Sequence, residues 1–183
     1  TQFFFFFYLF GEVLKIGKES AKITVKVFSS LTCPHCASFH QKIFRNLKEY
    51  YIDKDKVKFE HHAFPLDLAA LNAEKIVRCA KSPETKFKLL HEIYDKQKKW
   101  AVGSDINKIN ESLIKIGTDS KIKDDLLRKC LANEETQNAI LNERITAQKD
   151  YNITSTPTIY INGIKYEDKH EFKSFKKEID KLL

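Results

Sequence analysis

An α/β fold with a long helical segment set into its sheet follows from three stretches of the 183-residue sequence. Residues 23–28 (ITVKVF), a Cys33-Pro34-His35-Cys36 run opening a helix, and residues 57–64 (VKFEHHAF) read as a strand–helix–strand unit. Such a unit implies parallel strands and a right-handed crossover. Roughly 80 residues of helical periodicity follow. The sheet then returns at residues 156–161, turns at Asn162-Gly163, a strong hairpin signal, and gives way to an amphipathic closing helix.

Taken in order, residues 1–10 (TQFFFFFYLF) stand apart. The apolar run from Phe3 to Phe10 is far short of the ~20 residues that span a bilayer. It has the length of the apolar part of a secretory signal but lacks a basic start. A remnant or flank of an export signal is expected, with a membrane anchor or an ordered strand as the alternatives. Residues 13–16 predict a short edge strand before a turn at 17–20. After the first long strand, Ser29-Ser30-Leu31-Thr32 forms a turn, and Phe39, Ile43, Phe44, Leu47 and Tyr50 mark the buried side of a helix over 34–50. Pro65 ends the second long strand. His61 and His62, being consecutive, face opposite sides of it; one could approach the cysteines, and a structural role suits both.

The helical segment begins with Leu68, Leu71, Ile76 and Val77. Ser82-Pro83-Glu84 caps a second helix carrying Phe87, Leu90, Ile93, Tyr94 and Trp100. Gly103-Ser104-Asp105 starts a third, which Gly117 ends. A fourth carries Leu126, Leu127 and Leu131, and Asn133-Glu134-Glu135 opens a fifth through Ile145. Phe172, Phe175, Ile179 and Leu182 give the closing helix its inner face. The expected organisation is an apolar segment at 1–10, a sheet domain from 11–65 and 152–183, and a helical domain at 66–151.

Four cysteines in pairs suit an oxidising compartment. They allow three pairings; the closeness of Cys33 and Cys36 favours the one that leaves Cys79 with Cys130, two buried free thiols being the alternative. The net charge of +7 comes from 32 basic and 25 acidic residues. The lysines are spread along the chain, so the charge reads as solvated surface and nucleic acid is not an expected partner.

Chemistry concentrates at Cys33-Pro34-His35-Cys36. Proline suits the first turn of a helix, where its missing N–H is not needed. Cys33 then sits where unpaired N–H groups and the positive end of the helix dipole stabilise a thiolate. His35, when protonated, adds positive charge. Cys36, one turn on, can close a disulfide. C-x-x-C is also half of many zinc sites, and His40 shares the helical face of Cys36, but no second ligand pair exists. A redox dithiol is the leading reading, ahead of zinc or an inert disulfide.

A C-x-x-C after a first strand, a helical insertion and Thr156-Pro157 opening a late hairpin together resemble the thioredoxin fold. The Cys-Pro-His-Cys run and the insertion resemble the DsbA-type thiol–disulfide oxidoreductases of bacterial cell envelopes, over about residues 13–183. Phe64-Pro65-Leu66 and the Thr-Pro-Thr run before Asn162-Gly163 fit the same family. The resemblance implies a dithiol oxidase, with no cofactor or metal, that donates a Cys33–Cys36 disulfide to folding exported proteins through a mixed disulfide. It implies a periplasmic or cell-envelope location and reoxidation by a membrane quinone-linked partner of the DsbB type. Pro34 would position the helix start, His35 would tune Cys33, Pro157 would be a cis-proline facing the disulfide, and the Thr156 backbone would pair with a client strand. The pair Cys79 and Cys130 is similar to a second disulfide of some alphaproteobacterial members. One position departs. Many members carry a buried acid six residues before the first cysteine, and here that residue is Val27; Glu60, His61 and His62 are the neighbours that could replace it. A disulfide isomerase or reductase is the rival within the class, and a zinc-binding or chaperone-like module the rival outside it.

Overall fold

The computed structural model describes residues 13–183, so the expectations for residues 1–10 lie outside the described residues. Strands β1 (Leu14–Ile16), β2 (Ile23–Ser29), β3 (Val57–Ala63), β4 (Thr158–Ile161) and β5 (Ile164–Lys165) form one sheet in the order β1-β3-β2-β4-β5. β2 and β3 run parallel, with Val25 beside Phe59 and Val27 beside His61. β1 joins β3, β4 joins β2, and β5 joins β4, all antiparallel. Because strand side chains alternate between faces, Val25, Val27, Phe59, His61 and Ile159 share one buried face.

That face is covered first by helix α1 (34–52). It is α-helical over Pro34–Phe39 and Arg45–Leu47 and π-helical over His40–Phe44 and Lys48–Ile52. A π turn takes more residues than an α turn, so each one advances the inward position along the chain. Hence the reading of Tyr50 as an inner residue is corrected: Tyr50 is 44% exposed, and Tyr51 is buried in its place.

Between β3 and β4 the chain forms α2 (Leu68–Cys79), α3 (Pro83–Asp95), α4 (Gln97–Trp100), α5 (Ile106–Asp119), α6 (Asp124–Leu131) and α7 (Glu134–Tyr151). Asp67, Ser82, Asp105 and Asn133 cap four of these N-termini, each accepting from a backbone N–H of the first turn. Two boundaries differ from those expected. The single helix over Phe87 to Trp100 is broken at Lys96 (φ −96°, ψ 7°), and Trp100 Nε1 then donates to the Ile93 carbonyl at 2.7 Å. Gly117 does not end its helix, which continues to Asp119. Instead it lets α6 approach, since a Cβ there would lie 2.6 Å from Leu127 Cδ2. The closing helix α8 (Phe172–Leu182) packs Phe175 against Phe39 and Tyr166.

One hydrophobic core runs without interruption from the sheet through α1 to Leu90, Ile93, Trp100, Leu113 and Leu127 in the inserted helices. A smaller cluster, Phe28, Phe64, Ala147 and Ile153, covers the other sheet face beneath the end of α7. Cys79 and Cys130 form a disulfide (S–S 2.08 Å, Cα–Cα 5.8 Å) that ties α2 to α6. Cys33 and Cys36 are free thiols.

Candidate active site

Cys33 is the N-cap of α1, and its Sγ accepts from the backbone N–H of Cys36 at 3.4 Å. Proline at the next position needs no hydrogen-bond partner, which leaves the helix mouth open to the sulfur. The Thr156–Pro157 peptide bond is cis, and the Thr156 carbonyl oxygen lies 3.5 Å from Cys33 Sγ. Thus the β2–α1 turn and the loop before β4, 123 residues apart in sequence, meet at one sulfur. Cys33 is 8% exposed and Cys36 1%. Pro34 and His35 are exposed between them.

The two thiols are driven apart in acidity. The Cys33 pKa is pushed down to about 5, chiefly by the hydrogen bond from the Cys36 side chain, with help from Thr156 and the backbone N–H groups of Cys36 and His35, against the opposing effect of burial. That of Cys36 is raised, above all by burial and then by its bond to Cys33. His35 acts on Cys33 through its backbone; its side chain lies at the surface, close enough to His170 to depress that histidine's pKa behind the larger effect of burial.

The turn that presents Cys33 is fastened on both sides. Phe64 N donates to the Ser29 carbonyl at 2.8 Å, Leu66 N to Ser30 Oγ at 3.2 Å, and Thr32 Oγ1 to Asp67 Oδ2 at 2.8 Å. From the inserted helices, Gln97 Nε2 donates to the carbonyls of Leu31 at 2.8 Å and Cys33 at 3.0 Å. Sequence reasoning passed over Gln97. Its signal was a polar residue on the stripe Leu90, Ile93, Tyr94, Trp100, all of them buried.

Of the neighbours considered in place of an acid at Val27, only His61 shares Val27's buried face; its Nε2 lies 2.6 Å from Glu74 Oε1 on α2. Glu60 and His62 pair with each other at 2.8 Å on the opposite face, with Lys26 and Lys58 around Glu60. His40 is buried one turn below Cys36, stacked on Phe44, with Nε2 unpaired, and burial holds its pKa well below the usual histidine range. Among the described residues no three of His, Cys, Asp or Glu gather as a metal cage.

A reactive dithiol at a helix mouth, facing a cis-proline loop on a mixed five-stranded sheet, is the arrangement of the thioredoxin class. The chain belongs to that family: the family model described as Thioredoxin matches residues 11–181. It is 32% identical over 169 residues to a putative protein-disulfide oxidoreductase of Rickettsia bellii, covering 92% of this chain and 63% of the relative. It is 27% identical over 177 residues to disulfide bond formation protein D of Bacillus subtilis, covering 92% and 76%. The crystal structure of Wolbachia pipientis alpha-DsbA1 superposes with a TM-score of 0.85 at 28% identity, covering 94% of this chain and 91% of that one. The DsbA-type resemblance therefore holds in sequence and in fold. The chain spans about three fifths of the length of the rickettsial relatives it matches.

Proposed function

We propose that this chain is a thiol–disulfide oxidase that passes its Cys33–Cys36 disulfide to proteins with free cysteines. The observation that carries this is the acidity split: a Cys33 thiol pushed down to about 5 beside a Cys36 thiol that is raised. A stable Cys33 thiolate favours the reduced form and makes Cys33 a good leaving group, so the disulfide oxidises its partners. A client thiolate attacks Cys33, the more exposed sulfur, and forms a mixed disulfide as Cys36 departs; a second client thiolate then attacks the client sulfur and releases Cys33. Pro34 and Pro157 shape the site, His35 supplies one stabilising N–H, and the main chain at Thr156 receives the client as an added strand. Supporting the same reading are the names of the rickettsial and Bacillus relatives.

In this reading the clients are exported proteins, the location is the periplasm or cell envelope, and a membrane quinone-linked protein of the DsbB type restores the disulfide. Residues 66–151 form a helical domain and 11–65 with 152–183 a thioredoxin-like one. No helix among the described residues is long and apolar enough to cross a membrane. The test is the redox equilibrium of Cys33–Cys36 against glutathione, followed by refolding of a reduced, unfolded client. An equilibrium lying towards the dithiol, with native disulfides appearing in the client, is expected. A strongly reducing pair would instead make the protein a reductase.

A further inference from the structure

A series of hydrogen bonds runs from α7 to the turn beneath Cys33, and the count of protons fixes its direction. Arg144, half-buried on α7, donates from Nη1 to the carbonyl oxygen of Pro65, and its Cζ lies 5.0 Å from the centre of the Phe64 ring. That carbonyl belongs to the same peptide unit as Leu66 N, which donates to Ser30 Oγ at 3.2 Å. Ser30 Oγ lies 3.3 Å from Thr32 Oγ1, and Thr32 Oγ1 lies 2.8 Å from Asp67 Oδ2. A carboxylate only accepts, so the single hydroxyl proton of Thr32 points to Asp67, and that of Ser30 then points to Thr32.

The series therefore starts on a cation and ends on an anion, with every group between them aligned the same way. Bonds arranged like this strengthen one another. The guanidinium polarises the Pro65–Leu66 peptide and makes its N–H a stronger donor; the pull of Asp67 on Thr32 makes Ser30 Oγ a stronger acceptor. Arg144 has no carboxylate partner among the described residues. Asp67 is itself anchored, its Oδ1 accepting from Ala70 N at 2.7 Å as the N-cap of α2. Ser30, 0% exposed, stands where the series meets the dithiol. Its carbonyl accepts from Cys33 N at 3.1 Å, while Cys33 Sγ accepts from Cys36 N at 3.4 Å.

We infer that Arg144 is a positioning residue for the dithiol: through the Pro65–Leu66 peptide and Ser30 it holds Cys33 at the mouth of α1, and so sets how far the redox equilibrium lies towards the dithiol. This rests on the oxidase reading, in which a stabilised Cys33 thiolate makes the disulfide oxidising. The hold matters unequally to the two forms. In the disulfide, the covalent bond to Cys36 keeps Cys33 Sγ in place. In the dithiol, the turn alone keeps the sulfur against the N–H groups of the helix. Loosening the turn therefore weakens the dithiol more than the disulfide.

The test is the glutathione equilibrium of Cys33–Cys36, with the Cys33 thiolate titration beside it, in Arg144→Met, Arg144→Lys, Ser30→Ala and the double variant Arg144→Met/Ser30→Ala. Arg144→Met should move the equilibrium towards the disulfide by roughly 2- to 10-fold, the scale of one hydrogen bond. Its titration midpoint should rise above the wild-type value of about 5. Arg144→Lys, which keeps a charged donor, should recover part of both. Ser30→Ala changes no charge and should shift both in the same direction, so that the lost cation alone cannot account for the effect. In the double variant the Arg144 change should add little, because its route is already cut. Should Ser30→Ala not fold, Thr32→Val takes its place, since it removes the acceptor of the Ser30 proton. Lower thermal stability of Arg144→Met with a wild-type equilibrium and titration would overturn the assignment, as would full additivity in the double variant; both leave the oxidase reading intact. A wild-type Cys33 titrating near the ordinary 9.0 would overturn both.

Discussion

The side-chain amide of Gln97 holds the main-chain carbonyl of Cys33 at 3.0 Å, and with its second hydrogen it holds that of Leu31 at 2.8 Å. A residue of the inserted helices thus fixes the peptide that carries the reactive sulfur. Both carbonyls are buried; without the amide the Cys33 carbonyl still accepts from Ala37 N at 3.1 Å, but that of Leu31 loses a donor, at about 1–3 kcal/mol. Gln97→Ala should therefore lower stability by about 1–3 kcal/mol, measured by urea unfolding of the oxidised protein. A change below about 0.5 kcal/mol, the range of neutral surface substitutions, would show that water replaces the amide.

Acidity at Cys33 should depend more on Cys36 than on His35. The Cys36 side chain is the leading cause of the low Cys33 pKa, whereas His35 acts through its backbone N–H, which any side chain preserves. In an ultraviolet thiolate titration, Cys36→Ala should move the midpoint from about 5 towards the ordinary 9.0, and His35→Ser should move it less. The opposite order would return the control to the imidazole.

The same thiolate links stability to pH. Folded Cys33 loses its proton near 5 and an unfolded cysteine near 9.0, so the folded state binds fewer protons between these values. The stabilisation is complete above the unfolded value and disappears as pH falls through about 5. Cys36, with a raised pKa, acts against stability only above the ordinary thiol range. The reduced form should therefore gain on the oxidised form as pH rises from about 5 to 9.0. Parallel denaturant curves of the two forms measure this; a pH-independent difference would refute it.

At Gly117 two effects of alanine compete. Helix propensity favours Gly117→Ala by up to about 1 kcal/mol. Against it, the new methyl would meet both Leu127 methyl carbons at 2.6 and 2.7 Å, and Leu127 is fully buried with little room to move. Overpacking of this kind costs about 1–3 kcal/mol, so net destabilisation is expected, with partial recovery in Gly117→Ala/Leu127→Val. A stabilised single variant would mean that Leu127 repacks freely.

Removing the bridge between α2 and α6 should be felt by the whole fold. It closes a loop with a sequence separation of 51, and the loop-entropy relation gives a loss of about 4 kcal/mol on opening it. Cys79→Ser/Cys130→Ser should lose up to that amount in urea unfolding, while the Cys33–Cys36 equilibrium with glutathione stays in place. A shift of that equilibrium would reveal coupling along α2.

Much of this architecture was legible because its signals are local. A β-branched, apolar run gave β2, Asn162-Gly163 gave the β4–β5 turn, and Ser82, Asp105 and Asn133 gave the starts of α3, α5 and α7, each within a few residues of chain. Other features depended on distant neighbours. In α1, whose last turn is π-helical, Tyr51 rather than Tyr50 is buried. Gly117 reads as a stop until Leu127 is set beside it. At the site, Cys33 and Cys36 announce themselves, while Gln97 does not. Its role arises from burial and from partners on another element, which no single window of sequence contains.

The unequal depth of the two sulfurs also decides what can be caught. With Cys33 the more exposed sulfur, attachment of a macromolecule is expected there, and Cys36 is the group inside the molecule that could undo it by re-forming the Cys33–Cys36 bond. A chain with Cys36 replaced by alanine is thus a snare for proteins that carry a disulfide: its Cys33 thiolate opens that bond, one partner sulfur leaves as a thiolate, and the other stays fastened by one reducible bond. Released by a reductant and weighed, they would give a direct census of the proteins this dithiol meets in its own cell.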